Sequence, residues 1–250
     1  MSWIRILFVF VLALDVSTAS SQKGTVSFGI QYRPLIPNVA FDGDPVQMSN
    51  DSVSAEVTTK IGHSFGFLIR TNFTDRWSLE TGINQTRRNY LLDAHSVEDP
   101  VSEKFTLSMV TYELPVQMLY YVRFTDKLYM NALAGGSFNF YPTEHISNSP
   151  DLQFRASSAR REWIGISLLS NVGFEYRTYN SGYFYLGASL HRPLKSIAEM
   201  RVIYRPYLAS SPVAYNFISG NFLTLDFRYF FPAEKKSVNE KTEEPVRGRR

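Results

Sequence analysis

Eight segments of this chain alternate between apolar and polar residues, and helical spacing of the apolar residues is nowhere sustained. They are TVSFGIQYR, HSFGFLIRTNF, RWSLETGINQT, MVTYELPVQMLYYVRF, KLYMNALAGGSFNFY, WIGISLLSNVGFEYR, GYFYLGASLHR and NFLTLDFRYFF. Period-2 alternation gives each strand two unlike faces. The last segment sets Leu223, Leu225, Phe227, Tyr229 and Phe231 on one face, against Thr224, Asp226 and Arg228 on the other. Pro115 breaks the donor ladder of the fourth segment, so a local bulge is expected there.

The connections alternate in length. Long ones cover about residues 34–60, 89–104, 142–160 and 196–219. Tight turns fall at Thr74-Asp75, Thr125-Asp126 and Asn180-Ser181-Gly182. In an up-and-down meander this gathers the long loops at one end and the tight turns at the other, the asymmetry of a transmembrane barrel. The expectation is an all-β, eight-stranded antiparallel up-and-down transmembrane β-barrel. An even strand count puts both termini on the short-turn, periplasmic side of the outer membrane.

Aromatic placement orients the faces. On the apolar parity nearest the short turns stand Phe73, Trp77, Tyr120, Phe124, Tyr176, Phe184, Tyr229 and Phe231, the ring an interfacial girdle requires. The apolar parity is therefore expected to meet lipid. The other parity carries Arg70, Glu80, Glu113, Glu175, Asp226 and Arg228 into an interior just wide enough for side chains to fill. Lone buried charges are costly, so these are expected to pair in a network that plugs the bore. The opposite orientation describes a secreted lipocalin-like barrel, with the apolar parity lining a ligand cavity.

Composition narrows the function. The chain has no cysteine, which excludes disulfides, thiol catalysis and Cys-ligated metals. Net charge is +3, of which residues 232–250 supply +2 (six Lys/Arg against four Asp/Glu), so nothing points to nucleic acid. Arg5, the apolar run Ile6 to Leu14 and the small residues Ser17-Thr18-Ala19 read as a signal peptide over 1–19. The barrel is then assigned to 20–231, and 232–250 is a charged periplasmic tail with the composition of a disordered segment.

No catalytic, cofactor or metal site emerges. His63, His95, His145 and His191 lack ligand spacing and an accompanying serine motif, and Asp42-Gly43-Asp44 is too short for a calcium loop. Function is expected in the long loops, of which residues 205–217, RPYLASSPVAYNF, are the most aromatic.

The stretches GFLIRTNFTDRWSLETGIN (66–84), YELPVQMLYY (112–121), LYMNALAGGSFNF (128–140) and LTLDFRYFF (223–231) resemble the small outer-membrane β-barrel family of the Bacteroidetes, which includes PorT-like barrels. The resemblance implies a non-enzymatic barrel, structural or accessory to a secretion or surface complex. Its partners would be outer-membrane lipid, the barrel-assembly machinery and envelope proteins. A narrow channel is the alternative. The aromatic terminus that such barrels often carry is internal here, at Tyr229 to Phe231.

Overall fold

The structure is a computed structural model that describes residues 25–37, 45–151, 153–178, 181–205 and 211–232. The expected signal peptide, the tail beyond Pro232 and the Asp42-Asp44 segment lie outside the described residues. Thirteen strands occur among those described. Eight close a ring: β1 (Val26–Ile36), β3 (Val53–Asn72), β4 (Trp77–Ser96), β5 (Ser102–Arg123), β6 (Leu128–Phe140), β9 (Ile164–Arg177), β10 (Tyr183–Pro193) and β13 (Phe222–Phe230). Each pairs antiparallel with its neighbours in that order, and β1 seals the ring against β13.

The exposed parity is the apolar one. Phe28, Tyr32, Phe67, Ile83, Val116, Phe138, Leu168, Val172, Leu186 and Phe227 all point outward. Ser27, Gln31, Ser64, Arg70, Glu80, Asn131, Glu175 and Asp226 are buried. This reverses the pattern of a soluble ligand-binding barrel, whose cavity is lined by apolar side chains.

The long connections differ from the sequence expectation. They are largely strand, not loop. β3, β4 and β5 run 20, 20 and 22 residues, whereas about 9–11 residues cross a bilayer. Their excess halves stand clear of the ring, with β2 (Val46–Ser49) paired beside β3. Facing them is a second sheet, ordered β12-β11-β8-β7, built from the other long connections. It comprises β7 (His145–Asn148), β8 (Phe154–Arg160), β11 (Ala198–Tyr204) and β12 (Val213–Ile218).

The two layers form a head with an apolar core. One layer supplies Val53, Val57, Leu92, Phe105 and Leu107; the other supplies Phe154, Ala156, Met200, Val202 and Ala214. Side chains close both flanks. Asn216 Nδ2 donates to the Gln47 carbonyl at 2.8 Å, and Thr143 Oγ1 accepts from the Val110 amide at 3.0 Å. Tyr204 donates to Asp99 Oδ2 at 2.6 Å, a bond that raises the phenol above its ordinary pKa.

Strands that serve both parts invert their chemistry part-way. Along β4 the buried residues run Ser78, Glu80, Asn84, Thr86, Arg88, then Tyr90, Leu92, Ala94. Along β5 they run Phe105, Leu107, Met109, then Thr111, Glu113, Gln117. The outward residues switch in the opposite sense, from Lys104, Thr106 and Ser108 to Val110, Tyr112 and Leu114. The interior is oily where water surrounds the strand and largely polar where lipid does, apart from a small cluster of Leu119, Tyr121 and Leu133.

β3 makes the same change with one extra residue. Lys60 pairs with Asn89 but His63 with Arg87, a bulge at Ile61-Gly62. Buried positions are Val53, Ala55 and Val57 before it, and Ser64, Leu68 and Arg70 after it. Gly62 is required by crowding, because a Cβ there would sit 2.3 Å from the Arg87 carbonyl oxygen. The bulge expected at Pro115 is absent. The register runs through it without a slip (Thr81 to Val116, Asn84 to Glu113), and the Pro115 carbonyl accepts from Thr81 Oγ1 at 2.8 Å.

Candidate functional site in the filled bore

All six charged residues expected inside are buried there, and they lie in two groups. The group near the short turns begins at Arg70, two residues before the end of β3. Its Nε and Nη2 donate to Glu80 Oε2 at 3.0 and 2.8 Å, and Nη1 donates to Glu175. Arg228 donates from Nη1 to Glu80 Oε1 at 2.6 Å and from Nη2 to Asp226 Oδ2 at 2.7 Å. Asp226 also accepts from Thr224 (2.6 Å), Ser189 (2.5 Å) and Asn171 (2.8 Å). Each carboxylate is thus shared by several donors, the condition under which buried charge is tolerated.

Aromatic rings complete this layer. The Arg70 guanidinium lies 3.9 Å from the Phe230 centroid, which gives a role to the inward aromatic at the short-turn end of β13. Arg177 donates to Glu175 Oε1 at 2.7 Å and lies 4.1 Å from the Tyr129 ring and 5.0 Å from Tyr121. Below it, toward the short turns, opens a vestibule of about 730 Å³ lined by Asp75, Arg76, Tyr121, Tyr129 and Arg177.

The second group lies toward the head and centres on Glu113. Arg33 Nη2 donates to Glu113 Oε1 at 3.1 Å and to Ser64 Oγ at 3.0 Å. Asn84 donates to the same Glu113 oxygen at 2.9 Å. Arg33 Nη1 lies 3.1 Å from His191 Nε2, and an arginine can only donate. His191 therefore accepts at Nε2 and donates from Nδ1 to Glu113 Oε2, 3.1 Å away. Phe222 stacks on the imidazole at 4.3 Å.

A His–Glu pair invites comparison with a hydrolase. Here the imidazole nitrogen that would activate a nucleophile faces Arg33. The nearby Ser64 hydroxyl is occupied by Arg33 and by Thr86, 2.9 Å away.

Arg33, Arg88, Arg177 and His191 were not among the expected interior charges. Parity carried the signal: Arg33 is two residues beyond Gln31, and Arg177 two beyond Glu175. Arg33, Arg177 and His191 stand at or near the ends of segments expected as strands, and Arg88 adjoins the stretch 89–104 expected as a loop.

The expected girdle residues Phe73, Trp77, Tyr120, Phe124, Tyr176, Phe184 and Phe231 are exposed on the outer wall, and Tyr229 is half-buried among them. Trp77 packs on Tyr120 at 4.9 Å and Phe184 on Tyr229 at 5.0 Å.

The model of the outer membrane protein beta-barrel domain matches residues 21–199. The chain belongs to that family. The match takes in most of the ring and stops before β12 and β13. Among solved structures, this outer-membrane barrel is similar to OprG of Pseudomonas aeruginosa, at 14% identity and a TM-score of 0.54, covering 84% of this chain and 98% of OprG. That likeness concerns the fold. Ail of Yersinia pestis (16% identity, TM-score 0.38, 84% of this chain and 100% of Ail) is a more distant match. So is the protease OmpT of Escherichia coli (9% identity, TM-score 0.34, 86% and 97%). No curated protein matches the chain.

Proposed function

We propose that this barrel is a non-enzymatic, non-conducting anchor that holds its β-sandwich head outside the cell, as a structural or accessory part of a secretion or surface complex. The observation that carries the reading is the filled bore. Two layers of interlocked ion pairs cross it, and Arg177 with its tyrosines closes the short-turn end. An eight-stranded ring has no spare width for a channel beside them. The termini are then periplasmic, and the sequence resemblance to PorT-like envelope components agrees with this reading.

The outer face of the second head sheet is the surface offered to partners. Arg201 stands opposite both Ser157 and Tyr215, and Arg155 opposite Ile203. Tyr215 and Phe217 are exposed, and Arg161 lies 5.1 Å from the Phe217 ring.

A planar-bilayer recording of the refolded protein tests the proposal. The expected trace is silent, and replacing both Arg228 and Arg177 by Ala introduces conductance steps. Steady conductance of the unaltered protein would favour the narrow channel, for which the vestibule would be the entrance.

A further inference from the structure

The lipid-facing wall carries a cleft where β9 and β10 meet the head. Ile166 of β9 stands opposite Phe138 of β6, and Ile164 opposite Phe140, all on the outward parity. Past the end of β10 the chain keeps one more bond to the wall, from the Leu194 amide to the Ile166 carbonyl at 2.9 Å. It then crosses to the head, where the Ile197 amide donates to the Ile218 carbonyl at 2.9 Å. Beside this crossing lies a cleft of about 250 Å³, lined chiefly by Phe138, Ile164, Ile166, Pro193, Leu194 and Ile197. Four of these, Phe138, Ile164, Ile166 and Leu194, are exposed, so the cleft opens onto the surface that meets lipid. Tyr141 backs it, buried against Gly165, where a Cβ would lie 2.9 Å from the phenol ring.

The rim of the cleft is charged. Lys195 Nζ donates to Glu162 Oε1 at 2.6 Å, and both residues line the cleft and reach solvent. Arg192 is exposed on the outward parity of β10, one residue before Pro193. Arg160 pairs with Glu144 at 3.3 Å and lies 3.7 Å from the ring of Trp163, itself exposed. The wall thus passes here from hydrocarbon to charge, the height at which a membrane presents its headgroups and at which exposed tryptophan collects. Three cations stand there against two carboxylates. Exposed ion pairs are weak and exchange partners easily, so Lys195 is available to a second anion. Apolar lining continuous with the lipid-facing wall, under a cationic rim, fits an amphiphile with an acyl chain and an anionic head.

We propose that this cleft holds one phosphorylated lipid of the surrounding leaflet. Its acyl chain lies against Phe138, Ile164, Ile166 and Leu194, and its phosphate oxygens accept from Lys195 Nζ and the Arg192 guanidinium. The proposal rests on the lipid-facing wall and does not depend on whether the barrel conducts.

The test uses the full chain refolded in detergent micelles and titrated with lipid under native mass spectrometry. The probes are dioleoylphosphatidylglycerol, dioleoylphosphatidylcholine and dioleoylglycerol, which share their acyl chains and differ in the head. One phosphatidylglycerol molecule is expected to bind saturably and to stay bound where the other two are lost. Replacing both Arg192 and Lys195 by Gln should weaken it by about tenfold or more, the loss expected for hydrogen bonds to a charged group. Ser196→Phe keeps both cations and fills the cleft from its rim, so it should remove binding too. Arg87→Gln, an exposed outward cation on β4 away from the cleft, should leave binding unchanged. Equal retention of the three lipids would overturn the proposal, as would binding that survives both cleft variants. A loss with Arg87→Gln as large as with the cleft variants would show only a general attraction to the wall and overturn it equally.

Discussion

Arg228 Nη1 lies 2.6 Å from Glu80 Oε1, a bond between residues 148 positions apart that joins β13 to β4 across the bore. The other Glu80 oxygen takes two hydrogen bonds from Arg70. One carboxylate on β4 is therefore shared by two buried guanidinium groups, one from β3 and one from β13.

Glu80→Gln keeps the shape and removes the charge. Arg70 would retain Glu175 and Arg228 would retain Asp226, but both would be under-compensated. Breaking a buried pair by removing one partner costs about 3–5 kcal/mol. Urea titration of the refolded barrel should show a loss of that order, while Glu80→Asp should lose less. An unchanged midpoint would mean that water already solvates this layer.

The outward parity is a statement about solvent. Leu225 is exposed near the middle of β13, opposite Ala188. Leu225→Arg should lower stability in lipid by about 2–4 kcal/mol, the cost of arginine near a bilayer midplane. A fall in the temperature at which the protein loses its compact, fast-migrating form on unboiled gels reports it. An exposed arginine on a soluble wall would leave that temperature unmoved.

Leu107→Ala examines the other solvent. Leu107 is fully buried in the head core among Leu92, Phe105 and Val202. The truncation should cost about 2–5 kcal/mol of head stability. Limited proteolysis should then cut the head segments between β5 and β9 faster, while the ring keeps its gel mobility. Loss of both together would show head and ring to be one cooperative unit.

The bulge in β3 rests on a glycine. Gly62→Ala puts a methyl group against the Arg87 carbonyl and Leu35, so β3 and β4 must separate locally. Overpacking of this kind costs about 1–3 kcal/mol. Amide exchange at the β3–β4 pairs flanking Lys60 and His63 should rise before exchange elsewhere in the ring. Uniform exchange would mean that the strand absorbs the methyl group without opening.

The ring was legible in the sequence because lipid and a narrow bore impose opposite demands on alternate residues. Phe227 and Asp226 could not exchange places, and eight segments repeat that constraint. The head was less legible. In β8, FRASSAR, the core-facing residues are Phe154, Ala156 and Ser158, too small and mixed to announce a strand. In β4 the alternation persists, but past Arg88 its apolar parity points inward, so a reader expecting apolar-out takes the segment for loop. Pro115 misled in the other direction, because a break in one donor is absorbed where the flanking pairs hold register. Which charges meet inside was beyond sequence reasoning, since Glu113 finds Arg33 and His191 only after the ring has closed.

The head core draws one layer from residues 48–109 and the other from 154–218. Neither layer can bury its apolar face alone, and the second ends only a few residues before β13. The head of this protein therefore cannot finish folding until nearly the whole chain is present. The last strand of the head, β12, is followed at once by β13, the strand that seals the ring against β1, so head and wall are completed by the same end of the chain.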